Sequence, residues 1–231
     1  MPIGLFVDVA AITVGGIVGG IAGRRLSDTF KKELNSIVGD MALGIAVYLI
    51  TGLQILGAVM LSLVVSYCIG SALDFDGFIN SLVLRITGRI FNSSDNLDVS
   101  SLSVLIVLMG FGGGGIMGAM TESISGDSSL LFGRAVCDFI TALMFGTTIG
   151  PIAGIAGFTS LISLLAFYFS AKLLMPCMNE VVYANFIASG GMLTLLAAVK
   201  LFGLSRAKPM NAVLSVILIV PITILWQNLI P

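Results

Sequence analysis

The sequence predicts an all-α integral membrane protein, and three observations predict it. Hydrophobic residues fill 57% of the 231 positions against 10% charged and no histidine, too little polar surface to cover a soluble globule. Mean hydropathy is +1.10, and apolar stretches of about 20 residues recur along the chain, each enough to cross a hydrocarbon core about 30 Å thick. Glycine runs and isolated charges fall inside those stretches, as in helices that are broken or closely packed at depth. With 11 basic and 12 acidic residues the net charge is −1, so no nucleic-acid partner is indicated. The partner implied by composition is the lipid bilayer.

The spans follow in order. Residues 3 to 23 form the first; no basic stretch precedes it and Arg24 and Arg25 follow it in place of a small-residue cleavage site, so it reads as a retained helix. Residues 34 to 56 and 57 to 73 give the second and third, joined by a tight turn near Gln54 to Gly57. Between 75 and 98, Phe78, Leu82, Ile86 and Ile90 recur at helical spacing beside Arg85 and Arg89, which predicts an amphipathic helix at the cytoplasmic interface. The fourth span covers 101 to 120. The fifth runs from 130 to a break at Gly150 and Pro151, and the sixth, seventh and eighth cover 155 to 174, 182 to 204 and 211 to 229. Seven is the alternative count, should one hairpin only half insert. With the amino terminus outside, Arg24, Arg25, Lys31, Lys32, Arg85, Arg89, Arg206 and Lys208 lie on the cytoplasmic side, and only Arg134 and Lys172 toward the other.

An internal repeat is the most informative pattern. Gly15, Gly16, Ile17, Gly19 and Asp28 recur 99 residues later as Gly114, Gly115, Ile116, Gly118 and Asp127. Val38, Asp40, Gly52, Ala58, Ser62 and Leu63 recur 98 residues later as Val136, Asp138, Gly150, Ala156, Ser160 and Leu161. Spans one to three (residues 1–98) are expected to repeat as spans four to six (99–175), with two extra helices in 176–231. Three spans per copy would invert the second copy in the membrane, an arrangement common among secondary transporters, whose sites lie at broken helices near the midplane.

The segments GLFVDVAAITVGGIVGGIAGRRL, MGAMTESISGDSSLLFGRAVCDFITALMFGTTIG and ASGGMLTLLAAVKLFGL resemble the YqgA/YdfK-like bacterial membrane proteins, built on the domain of unknown function 554. The resemblance spans nearly the whole chain. It implies a multi-span protein of the bacterial inner membrane and supplies no reaction or substrate.

Charges inside spans are functional candidates because they cost about 2.5 to 3.5 kcal/mol at a helix centre. Asp40 and Asp138, equivalent in the repeat, are the leading cation or proton sites, although Arg134, one turn before Asp138, can neutralise it. The glycines Gly15, Gly16, Gly19, Gly112, Gly113, Gly114 and Gly115 expose backbone at the paired breaks, or else serve close packing. Glu122, Asp127 and Ser128 flank the start of the fifth span, where Asp127 or Ser128 caps the helix or helps bind a ligand. Asp8, near the outer end of the first span, is expected to reach water. Glu180, Asn185, Ser189, Gly190 and Gly191 form a small polar face on the seventh span, and Cys68, Cys137 and Cys177 read as packed hydrophobes. No cofactor is expected, and enzyme chemistry is disfavoured: GxSxG, P-loop and HExxH signatures are missing. The expected function is an ion- or proton-coupled secondary transporter of a small ion or metabolite, as monomer or dimer, with a channel or a non-transporting scaffold as alternatives.

Overall fold

A computed structural model describes residues 2–81 and 99–229, in which all regular structure is helical. The helices are α1 (Ile3–Ala22), α2 (Asp28–Ile50), α3 (Leu56–Ala72), α4 (Phe75–Ser81), α5 (Val99–Phe111), α6 (Gly113–Ser125), α7 (Ser129–Ile149), α8 (Ile155–Leu174), α9 (Glu180–Leu201) and α10 (Ser215–Leu229). Among the described residues seven helical segments are long and apolar enough to cross a membrane. An eighth is added if α3 and α4, bent by 56° at their junction, form one span. The chain is therefore a multi-pass membrane protein in contact with lipid.

Local sequence explains where the helices begin and break. Ser27 starts α2 earlier than hydropathy alone suggests, because its side chain accepts a hydrogen bond from the Phe30 N–H and adds a charged turn to the apolar span. The fourth span is two helices: Gly112 takes an extended conformation (φ −63°, ψ 136°), ending α5, and its carbonyl accepts the N–H groups of Gly115 and Ile116 as α6 restarts. Helix α6 stops at Gly126 in the left-handed region (φ 73°), where glycine carries no Cβ penalty. The first turns of the segment expected to be amphipathic are helical as α4; Leu82, Arg85, Ile86, Arg89 and Ile90 lie outside the described residues.

Helices α5 and α9 form the centre, with Leu102 to Met109 and Phe186 to Gly191 buried on every side, which fits stretches that are apolar or small all round. The most extensive pair is α1 on α7, which run parallel. A Cβ at Gly15, Gly19 or Gly23 would strike the backbone of Phe139, Leu143 or Thr147, and one at Gly16 or Gly20 the turn at Pro151 to Gly154. The first-repeat glycines thus seat α1 in a groove of α7 and α8. An inverted two-fold relating spans one to three with four to six would turn the α1–α7 pair into a similar pairing of α2 with α5 and α6. Helix α2 instead packs chiefly on α9, so the packing does not display the two-fold.

The two ends of the bundle differ in charge. One end gathers Arg24, Arg25, Lys31, Lys32, Lys200, Arg206 and Lys208; the other has Lys172. At the basic end Asp76 is buried, accepts from Ser103 Oγ (2.8 Å) and Asn80 Nδ2 (3.1 Å), and pairs with Lys208 at 3.2 Å.

Candidate functional site

The break at Gly112 leaves α5 carbonyls without the amide four residues on, a heavy cost in a membrane. Arg134 of α7 meets part of that need: its Nη2 donates to the Met109 carbonyl at 2.6 Å, and Ser160 Oγ donates to the same oxygen at 3.1 Å. The guanidinium reaches this position because Gly115 has no side chain; a Cβ there would overlap Nη1. Arg134 Nε lies 2.8 Å from Asp138 Oδ2, one turn further along α7. The i, i+4 pairing expected from the sequence is therefore present.

Asp8 completes the cluster. Expected to reach water, it is instead fully buried, because α1 lies in its groove with the carboxyl group turned toward α7. Neither of its oxygens receives a hydrogen-bond donor, and the groups facing it are the Asp138 carboxyl and, beyond it, the Arg134 guanidinium. Two carboxyl groups placed face to face can bond to one another only with a proton between them. The cluster thus sets two acids against one guanidinium, about 8 Å below the start of α1 by helical rise.

A cavity of about 380 Å³ opens beside this cluster, between α2, α5, α6, α7 and α9. Its lining runs from Ser129, Leu130 and Tyr48, toward the end of the bundle away from the basic loops, to Val38 and Thr141, and Ile45, Tyr48, Ser129, Leu130 and Gly133 along it are exposed. About 12 Å of α7 continues beyond Thr141. Val38, Ala42, Ile45, Leu49, Leu108 and Met117 make most of the wall apolar. Gly112, Gly114, Gly115, Arg134, Asp138, Thr141 and Thr194 supply the polar or backbone part. Cys137 also faces the cavity, whereas Cys68 is exposed on the bundle surface; the Cys177 side chain lies outside the described residues.

Several expected site residues lie elsewhere. Asp40 is exposed on the outer face of α2 and does not line the cavity, so it is not the partner of Asp138. The residues at its helical positions −2 and +2, Val38 and Ala42, face inward and leave Asp40 outside. Gly15, Gly16 and Gly19 serve the packing of α1, and Gly113 packs on the backbone of α9 at Ile187 and Gly191. Glu122 is buried, and its two oxygens accept the N–H groups of Gly4 (2.7 Å) and Leu5 (3.1 Å), while Ser128 Oγ donates to the first. That carboxylate closes the positive end of α1. Ser128 stands at the N-cap of α7, but its side chain bonds Glu122 and caps no N–H of that helix. Asp127 accepts from the Ser129 N–H at 2.9 Å, and the Ser129 hydroxyl and N–H hold its carboxyl below the usual range. On α9, Asn185 Oδ1 accepts the N–H groups of Gln54 and Ile55, both at 3.0 Å, and anchors the turn between α2 and α3.

Asp8 is the member that reasoning from the sequence missed. A signal existed: it stands at the fourth helical position from Gly4, Gly15 lies two turns beyond, and all three share the buried face of α1.

The chain is 27% identical over 230 residues to the uncharacterised protein YqgA of Escherichia coli (strain K12), with 98% of each chain covered. It is 24% identical over 221 residues to YdfK of Bacillus subtilis (strain 168), described as an uncharacterised membrane protein, covering 96% of this chain and 95% of that one. No solved structure matches. The family described as protein of unknown function DUF554 matches residues 3–224, and this chain belongs to it.

Proposed function

We propose that this protein is a proton-coupled secondary carrier, not an enzyme, with Asp8, Arg134 and Asp138 as its coupling centre. The observation that supports the reading is a buried acid pair neutralised by one guanidinium, a cluster of which Arg134 and Asp138 line a cavity between α2, α5, α6, α7 and α9. With one proton shared between Asp8 and Asp138 the cluster is neutral, the state that suits a low-dielectric interior. Loss or gain of a proton leaves a net charge that a bound solute or a changed packing must offset. That linkage is what a carrier requires.

The fold offers two bodies for such a cycle. Helix α1 is locked onto α7 and α8 by glycine contacts, and α2 lies on α9 across the cavity. Relative movement of these bodies would narrow the cavity between Ser129 and Tyr48 and open a path past Thr141. We place the basic end in the cytoplasm and the amino terminus outside, in a bacterial inner membrane. The weak sequence repeat is then a trace of two halves that have diverged in packing.

Reconstituted full-length protein tests the reading. Vesicles with an internal pH dye, preloaded with one small solute at a time from acids, amines and neutral metabolites, are expected to show solute-dependent proton movement and counterflow. Flux without counterflow would make the protein a channel. Absence of both with every solute class would favour a scaffold.

A further inference from the structure

Resting on the carrier reading, we propose that the solute held in the cavity is a small monocarboxylate with a short apolar chain, bound together with one proton. A volume of about 380 Å³ stands near the lower bound of ligand pockets, about 300 Å³, and limits the solute to a small metabolite. The apolar walls of α2, α5 and α6 would cover a hydrocarbon group. The polar pole holds the Arg134 guanidinium beside the Asp138 carboxyl. Arg134 uses Nη2 on Met109 and Nε on Asp138, and leaves Nη1 buried without a hydrogen-bond partner. Beside it the first turn of α6, whose Gly115 and Ile116 N–H groups bond the Gly112 carbonyl, brings the positive end of a helix dipole. At Gly114 a side chain would meet nothing within 4 Å, so the cavity extends to the backbone there.

Charge balance links this anion to a proton. With one proton shared by Asp8 and Asp138, the empty cluster is neutral. A carboxylate arriving at Arg134 adds one negative charge, and a second proton, taken by Asp138, restores neutrality and releases the guanidinium to the solute. The groups able to titrate around the cluster are Asp8 of α1, Cys137 and Asp138 of α7, and Tyr48 of α2 on the cavity wall; α5, α6 and α9 line it with non-titrating residues, and α8 contributes Ser160.

Calorimetry on the purified full-length protein, titrated with pyruvate and 2-oxoisovalerate in buffers of different ionisation enthalpy, reads both binding and proton uptake. Isobutylamine and isobutyramide are the cationic and neutral controls. Expected are carboxylate binding with about one proton taken up per ligand and affinity falling about tenfold per pH unit once the second proton is no longer pre-bound. Gly114→Val, which intrudes only on the cavity, is expected to weaken binding at least tenfold without lowering the Tm. Arg134→Lys is expected to weaken binding as well, with a lowered Tm because the Met109 carbonyl loses its Nη2 donor. Binding of the amine in preference to the acids, acid binding without proton uptake, or no acid binding at all would overturn the proposal. Acid binding with proton uptake but no counterflow in vesicles would uphold this site and overturn the carrier reading; counterflow of other solutes without acid binding would do the reverse.

Discussion

At Asp8, burial and neighbour chemistry decide a role that hydropathy misassigns. A carboxylate five residues into a first span is close enough to water to need no partner, and only the docking of α1 against α7 turns it into the opposite of Asp138. Arg134 and Asp138 were legible as a pair because i, i+4 spacing places them on one face. Asp40 drew attention through the repeat, but the sequence does not state which face of α2 meets the core. Glu122 belongs to this scale as well. Its carboxylate carries two backbone N–H groups and a hydroxyl, so Glu122→Gln is expected to lower stability by about 1 to 3 kcal/mol, read as a reduced Tm in detergent without loss of solute selectivity. An unchanged Tm would show that α1 needs no anionic cap.

The helices explain how that geometry is held. Helix α1 carries five glycines on the side that meets α7 and α8, and a Cβ at Gly19 would fall on the Leu143 backbone, which cannot move aside as a side chain could. Gly19→Val is expected to separate α1 from α7, destabilise the protein by more than the ~1–3 kcal/mol typical of overpacking, and leave Asp8 unable to reach Asp138. Gly44→Val, at a position open to the surroundings, is the control expected to fold normally. Glycine spacing made close packing legible in the sequence; it did not name the partner, because small-residue faces fit any helix that approaches. At the basic end, Asp76 and Asp74 raise the Lys208 ammonium above its ordinary value of 10.5. A raised folded value means the stabilisation is present below the ordinary lysine range and fades as pH climbs through the higher one. Lys208 is half exposed, so Lys208→Met is expected to cost only about 0.2 to 1 kcal/mol at neutral pH, and the gap from the unsubstituted protein should close in strongly alkaline buffer. A gap that widens with pH would contradict the pairing.

For the whole molecule, composition was enough to give the class and nearly all the spans, since burying backbone in lipid leaves helices as the available solution for this chain. Topology beyond that depended on which helices touch, and apolar sequence carries little of that information. The exposed carboxylate of Asp40 on the outer face of α2 is costly against lipid. Asp40→Leu is therefore expected to raise the Tm of the purified protein, and an unchanged or lowered Tm would show that the carboxylate is not facing lipid. The most direct test of the central claim is solute-dependent proton flux in vesicles, compared among the unsubstituted protein, Asp8→Asn, Asp138→Asn and Asp40→Asn. A coupling centre at Asp8, Arg134 and Asp138 predicts that flux is lost in the first two variants and kept in Asp40→Asn. Undiminished flux in correctly folded Asp8→Asn and Asp138→Asn would contradict it.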